Sequence, residues 1–167
     1  MRIKPTSSAS KVVDVNDICN QVRDPSLCSS ILNSKPGGAK GADLISLAQY
    51  TIGVGRAKAI DTINLINTLI TKSGSDPNAK NHYKSCLKHF SKEEGALNVI
   101  DYVEESLKKG DYLNMSAASR AIMIDIDDCI SGEDTPYDDK SELPRYTDNV
   151  EKVAHIIVII STYLIHN

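Results

Sequence analysis

The chain has 167 residues, a length suited to one domain with its own hydrophobic core. Apolar residues make up 41% and charged residues 25%, which is ordinary for a globular protein and argues against a disordered or fibrous chain. The formal net charge of -3 offers no basic field for nucleic acid, and a chain with one Phe and no Trp must fill its core with aliphatic side chains, as helical bundles do.

Neither end of the chain has a membrane-spanning pattern. Residues 1–10 are polar and lack the apolar region of an intact secretory signal peptide, and we expect residues 1–13 to be disordered. The apolar run 153–165 is shorter than the roughly 20 residues that cross a bilayer, and it contains His155. We interpret His155 as a core or boundary histidine, and we expect no membrane partner.

A single domain is predicted over 14–167, and it begins with a helical hairpin at 14–38. Val15, Ile18 and Val22 form one apolar stripe, and Pro25 marks a turn before a second short helix. The break at 35–38 contains Pro and two Gly and separates the hairpin from a bundle at 41–166.

The bundle is predicted to contain four long helices. The first spans about 42–71, where small and apolar residues recur at the spacing of one helix face: Ala48, Ile52, Gly55, Ala59, Ile63, Ile66 and Ile70. The second is predicted as one helix from Pro77 to about Lys109, with Asp76 as its N-cap and Gly110 as its C-cap.

The third and fourth helices follow the same pattern. The third begins after Asp111 and carries an apolar stripe from Met115 to Cys129. The fourth carries Val150, Val153, Ile157, Ile160 and Leu164 on one face. Its run 156–160 is also β-prone, so a strand is the competing interpretation, and the length of the segment favours a helix. The fold class is therefore all-α: an up-down-up-down four-helix bundle with an N-terminal helical hairpin extension.

The four cysteines indicate disulfides. Sequence alone permits three pairings, and local geometry favours Cys19 with Cys28 across the hairpin turn and Cys86 with Cys129 between two helices. A zinc site built on Cys86 lacks a second cluster of ligands, so no metal is expected. Disulfides imply an oxidising compartment, in which the sequon at Asn114 would be a glycosylation site.

The chain lacks the common catalytic motifs. It has no Gly-x-Ser-x-Gly elbow and no phosphate-binding Gly-rich motif, and no nucleophile lies in a pattern with a matched base. We therefore expect a binding protein that is not an enzyme, with no cofactor, no small-molecule substrate and no catalytic residues.

The cysteine layout, the segment 23–28 (Arg-Asp-Pro-Ser-Leu-Cys) and the sequence Lys109-Gly110-Asp111-Tyr112 resemble the plant invertase and pectin methylesterase inhibitor family. The resemblance covers nearly the whole chain. It implies a four-helix bundle with a helical hairpin, disulfides between the first and second and the third and fourth cysteines, and secretion to the plant cell wall (apoplast). It also implies a 1:1 complex in which the inhibitor covers the active-site cleft of its target enzyme.

The turn before the third bundle helix resembles one branch of that family. Gly110-Asp111-Tyr112 looks like the pectin methylesterase branch, whereas the invertase branch typically carries Pro-Lys-Phe after Gly-Asp. The expected partner is thus a plant pectin methylesterase, and the alternatives are inhibition of a plant acid invertase (cell-wall or vacuolar) or a non-inhibitory helical carrier. The resemblance places target contacts on the outward faces of the second and third bundle helices: Lys88, Lys92, Ser116, Arg120, Met123, Asp127, Asp128 and Ser131.

Overall fold

The structure is a computed structural model that describes residues 11–132 and 136–166. Over these ranges it contains seven helices: α1 (Val15–Cys19), α2 (Pro25–Asn33), α3 (Leu44–Lys72), α4 (Pro77–Phe90), α5 (Ala96–Lys109), α6 (Tyr112–Ser131) and α7 (Leu143–Ile165). The predicted all-α class is confirmed, and the run 156–160 is helical. No helix within these ranges is long and apolar enough to cross a membrane.

The long helices pack as a four-sided bundle, in which each side contacts its two neighbours and lies diagonally across from the remaining one. α7 packs along both α3 and α6, and the consecutive helices α4 and α5 fill the opposite side between α3 and α6. α3 and α6 therefore lie across the bundle from each other. The hairpin of α1 and α2 packs against α3 and α7 at one edge.

The helices form where the sequence provides both a cap and an apolar stripe. Asp43, Asp76 and Asp111 each accept a backbone N–H from the first turn of the helix that follows, which satisfies donors that have no partner inside the helix. The predicted stripes of α6 and α7 are fully buried. The largest completely buried side chains include Ile52, Ile66, Phe90, Met115, Ile122, Ile126 and Ile156.

The prediction of one unbroken second bundle helix is wrong, because α4 ends at Phe90 and α5 begins at Ala96. Ser91 is extended, and its Oγ accepts the backbone N–H of Glu94 at 3.1 Å, which competes with helix continuation. Gly95 then lies so close to the end of α4 that a Cβ there would overlap the backbone of Lys88 and His89. The chain can turn here only because residue 95 has no side chain.

The N-terminal segment joins the bundle earlier than the sequence indicated. Residues 1–10 of the segment predicted to be disordered lie outside the described part of the chain. Residues 11–13 lie against the start of α3: Leu44 donates its N–H to the carbonyl of Lys11 at 3.0 Å, and Val13 is buried. These three residues therefore belong with the folded domain.

Candidate functional site

Both predicted disulfides are present. Cys19–Cys28 closes the hairpin over a separation of nine residues, and Cys86–Cys129 joins α4 to α6 over a separation of 43. Cys86 is thus committed to a disulfide and unavailable as a zinc ligand. The described residues contain no group of three or more side chains arranged to hold a metal.

One side of α6 faces solvent along its whole length. Six exposed residues repeat at steps of three and four and form what we term the α6 face: Leu113, Ala117, Arg120, Ile124, Asp127 and Ser131. Leu113 is 70% exposed and Ile124 is 61% exposed, although both are large and apolar. A helix so well buried on its other side positions these six side chains rigidly.

The structure divides the eight predicted target-binding residues into three groups. Arg120, Asp127 and Ser131 lie in the α6 face. Ser116, Met123 and Asp128 are only partly exposed, on its flanks.

The two predicted lysines form the third group and lie at the C-terminal end of the neighbouring helix α4 and just beyond it. Lys88 is exposed near the end of α4, and Lys92 is exposed in the interruption after it, so Lys92 is not on a helix. α4 adjoins α6, and the contact between His89 and Asp125 (Nδ1 to Oδ1, 3.5 Å) lies beside the disulfide that joins the two helices. The two helices that were expected to carry the target contacts, α4 and α6, therefore lie next to each other.

The flank of the α6 face toward α7 contains a cluster of charges. Burial raises the pKa of Glu151, and the nearby carboxylates of Asp127 and Asp148 raise it further, while Arg23 opposes them. Burial also lowers the pKa of His155, as do the positive charges of Arg23 and Arg120. Proton uptake on this flank is therefore coupled to residues of the α6 face.

A cavity of about 220 Å³ lies beside this cluster, between the hairpin, α6 and α7. Its lining combines apolar and charged side chains, with Met123 and Ile156 beside Arg23, Glu151 and Lys152. His155, which the sequence indicated as a core or boundary residue, is half-buried at this cavity. Arg23 and Lys152 of this lining also make the ion pairs that join the hairpin to α7.

The other flank of the α6 face borders an open groove of about 660 Å³ between α5 and α6. Ala117, Ala118 and Ala121 leave room between the helices, and Tyr102 of α5 stands beside them, 52% exposed. The remaining lining residues are Asn98, Val99, Asp101 and Asn114. Exposed aromatic and aliphatic side chains beside polar ones are typical of protein interfaces.

Tyr102, Leu113 and Ile124 were missed by the analysis of the sequence. Ile124 stands between Ile122 and Ile126, so by composition it looks like one more core residue. Only its helical phase, two positions from each of them, points it outward, and this signal was available in the sequence. Tyr102 shares the outward side of α5 with Asn98 and Asp101, and only the alanines of α6, which are distant in the sequence, show that it borders a groove.

A buried polar cluster fastens the connection between α6 and α7 to α4. The side chains of His82 and Asp139 are 2% and 5% exposed, with 3.6 Å between His82 Nε2 and Asp139 Oδ2. Tyr83 donates its hydroxyl to Asp139 at 2.9 Å, and the ring of His82 stacks on Tyr137. Burial lowers the pKa of His82 against the opposing effect of Asp139, and burial raises the pKa of Tyr83 to about 12.

Comparison with known proteins gives consistent matches. The sequence model of the family "Plant invertase/pectin methylesterase inhibitor" matches residues 13–160. A pectinesterase inhibitor of Actinidia deliciosa is 27% identical over 150 residues, which are 90% of this chain and 78% of that protein. Pectinesterase inhibitor 2 of Arabidopsis thaliana is 30% identical over 113 residues, or 68% of this chain and 62% of that protein.

Two solved structures have the same fold. A mutant form of a pectin methylesterase inhibitor from Arabidopsis superposes with a TM-score of 0.73 at 26% identity, covering 87% of this chain and 93% of that one. A pectin methylesterase inhibitor from Arabidopsis thaliana gives a TM-score of 0.65 at 24% identity over 89% and 93% of the two chains, a likeness of fold. With the family match over nearly the whole domain, the chain belongs to the plant invertase and pectin methylesterase inhibitor family and is an inhibitor-type protein, not an enzyme.

Proposed function

We propose that the protein inhibits a plant pectin methylesterase by forming a 1:1 complex that covers the substrate cleft of the enzyme. The observation that carries this proposal is that both relatives and both structural neighbours are pectin methylesterase inhibitors by name. We place its site of action in the plant cell wall. The two disulfides support a location outside the cytosol, because such bridges persist in oxidising compartments.

The α6 face is the surface that we assign to the target. It offers Leu113 and Ile124 as apolar contacts, with Arg120 and Asp127 among them as charged ones. Binding energy at protein interfaces concentrates in a few large side chains whose contacts exclude water, while charged neighbours set orientation and partner choice. Lys88 and Lys92 on the neighbouring helix side extend this surface with positive charge.

The proposal is tested by titrating a plant pectin methylesterase with the oxidised protein at mildly acidic pH. Activity should fall linearly and reach its minimum at one inhibitor per enzyme, and the complex should elute as a heterodimer in size-exclusion chromatography. Full esterase activity at a large excess of inhibitor would contradict the proposal.

A plant acid invertase is the second candidate target, because the matching family description names both enzymes. In the structure Gly110 adopts the left-handed conformation and Asp111 caps α6, so Tyr112 begins α6 and Leu113 is the first residue of the α6 face. The same titration is run on the invertase in parallel. Loss of invertase activity alone would transfer the function to that target.

Contacts through the α6 face are tested by a pair of matched substitutions. Ile124→Lys places a charge at the centre of the face, and we expect the inhibition constant to rise by about tenfold or more because that charge must be desolvated in the complex. Ile60→Lys is the control, because Ile60 is also an exposed isoleucine, 43% exposed on the diagonal helix α3. Equal inhibition constants for the two variants would remove the α6 face from the interface.

A further inference from the structure

We infer that Asn114 carries an N-linked glycan that covers the groove between α5 and α6. Asn114-Met115-Ser116 is the sole Asn-X-Ser/Thr triplet in the 167 residues. Both disulfides require the oxidising compartment in which such triplets are modified, and the inference rests on the export proposed above. The groove shows where the sugar would lie.

Asn114 is accessible to modification. It is exposed in the first turn of α6, and its side chain lines the groove. Its Nδ2 donates to Oδ2 of Asp111 at 2.5 Å, and its backbone N–H donates to Oδ1 of the same carboxylate at 3.2 Å. A primary amide has two N–H groups and retains one after glycosylation, so the hydrogen bond to Asp111 and the cap of α6 are compatible with the modification.

The modification is a transfer of a sugar chain from a lipid diphosphate donor. Nδ2 of Asn114 forms a bond to the anomeric carbon of the first N-acetylglucosamine, and the bond between that carbon and the diphosphate oxygen breaks. The lipid diphosphate leaves with the electron pair, and the amide loses one proton. No oxidation or reduction takes place.

The glycan leaves the protein at the wall of the groove that contains the exposed ring of Tyr102. Ala117 and Ala121 present no bulk that would hold a sugar away from this ring. The apolar faces of sugar rings pack on exposed aromatic rings, and Tyr102 is 52% exposed. The glycan therefore shields Tyr102 and stands beside Leu113 and Ala117 at the N-terminal end of the α6 face, and it leaves the centre of that face, at Ile124, uncovered.

The acceptor site is tested by secreting the full chain, with an added leader, from a glycosylating eukaryotic host. Intact mass is measured before and after peptide N-glycosidase treatment. The wild type and Asn98→Gln, which alters another asparagine of the same groove, should carry a removable glycan; Asn114→Gln and Ser116→Ala should each lack it. A wild type without the added mass overturns the inference, as does an Asn114→Gln variant that keeps it.

Coverage of the groove is tested by hydroxyl-radical footprinting of the same preparations. Oxidation of Tyr102 should be several-fold lower in the glycosylated wild type than in Asn114→Gln, while oxidation of Tyr146 on α7 serves as the internal reference. Equal oxidation of Tyr102 in both overturns the coverage. Neither measurement uses a target enzyme, so a failure here is distinct from a failure of the proposed inhibition, which the titration of Asn114→Gln against pectin methylesterase reports separately.

Discussion

Two seams of the molecule join its parts by different means. The seam between α4 and α6 is held by the Cys86–Cys129 disulfide and by buried side chains, with the loop before α7 fastened to α4 through His82. The seam between the hairpin and α7 has no disulfide across it. Ile18 and Leu32 of the hairpin are buried in the core, and ion pairs join the surface: Arg23 to Asp148 at 2.6 Å and Lys152 to Asp24 at 3.1 Å.

The two seams should therefore differ in their sensitivity to salt. The α4–α6 seam underlies the α6 face, and covalent and apolar contacts fix it independently of salt. The hairpin seam includes ion pairs at the surface, whose attraction is weak in water and is screened by ions. Because no disulfide ties the hairpin to the bundle, it should open at a lower cost than the α4–α6 seam, and the face that we assign to the target should not depend on it.

The largest expected effect comes from removing one disulfide at a time. In the loop-entropy model, Cys86→Ala/Cys129→Ala lowers the free energy of unfolding by about 4 kcal/mol. Cys19→Ala/Cys28→Ala lowers it by about 2.5 kcal/mol, because the loop that Cys19–Cys28 closes is shorter. Urea denaturation of both double variants measures the difference. If the hairpin variant lost as much stability as the other, the two seams would not be separable.

A smaller effect is expected at the interruption between α4 and α5. Gly95→Ala should destabilise the protein by about 1–3 kcal/mol, since the added Cβ overlaps the backbone at the end of α4 and α5 must move. The matched control is Gly53→Ala in α3, where a Cβ meets nothing within 4 Å and where alanine should stabilise the helix by about 0.5–1 kcal/mol. Thermal unfolding of both variants should give shifts of opposite sign; shifts of the same sign would contradict the packing at Gly95.

The same interruption shows how far the sequence determines the fold. Helical periodicity predicted the helices, because the stripes of α6 and α7 are local patterns repeated over several turns. The break after Phe90 was missed although a signal exists, since Ser91 and Glu94 have the Ser-x-x-Glu spacing that begins helices. A continuous run of charged residues, 92–94, concealed it.

The candidate site was less accessible from the sequence than the fold. The helices that carry it followed from the family resemblance, but the division between face and flank depends on the neighbours of each helix. Met123 has the spacing of a surface residue, yet it lines a cavity because the hairpin and α7 meet there. Contacts between elements that are distant in the sequence leave no periodic signal in either one.

The α4–α6 seam should also respond to acid. Burial lowers the pKa of His82 below 6.5, so the unfolded chain binds a proton first as the pH falls. The contribution of His82 is fully present above about pH 6.5 and is lost as the pH falls from there toward its folded pKa. His82→Phe should therefore flatten the decline of unfolding free energy between about pH 7.5 and pH 5.5.

The control for this prediction is Tyr83→Phe. It removes the hydroxyl that donates to Asp139 and leaves the histidine in place, so the variant should keep the wild-type slope. Urea denaturation at several pH values measures both slopes. A His82→Phe slope as steep as that of the wild type would mean that other groups account for the sensitivity to acid.

The smallest expected effect is at the hairpin seam, where Lys152→Met should loosen the hairpin mainly at low salt. Lys152 Nζ lies 3.1 Å from Asp24 and 3.0 Å from Asp148, and it is the one lysine that joins the hairpin turn to α7 among the described ion pairs. Screening shortens the range of such attractions from about 10 Å at 0.1 M salt to about 3 Å at 1 M. Hydrogen exchange of the α2 amides should therefore accelerate in Lys152→Met at low salt and match the wild type at high salt. Lys140→Met is the control, because its exposed pair with Asp138 joins no two helices. An acceleration that persists at high salt would show that the alkyl stem of Lys152, and not its charge, holds the hairpin in place.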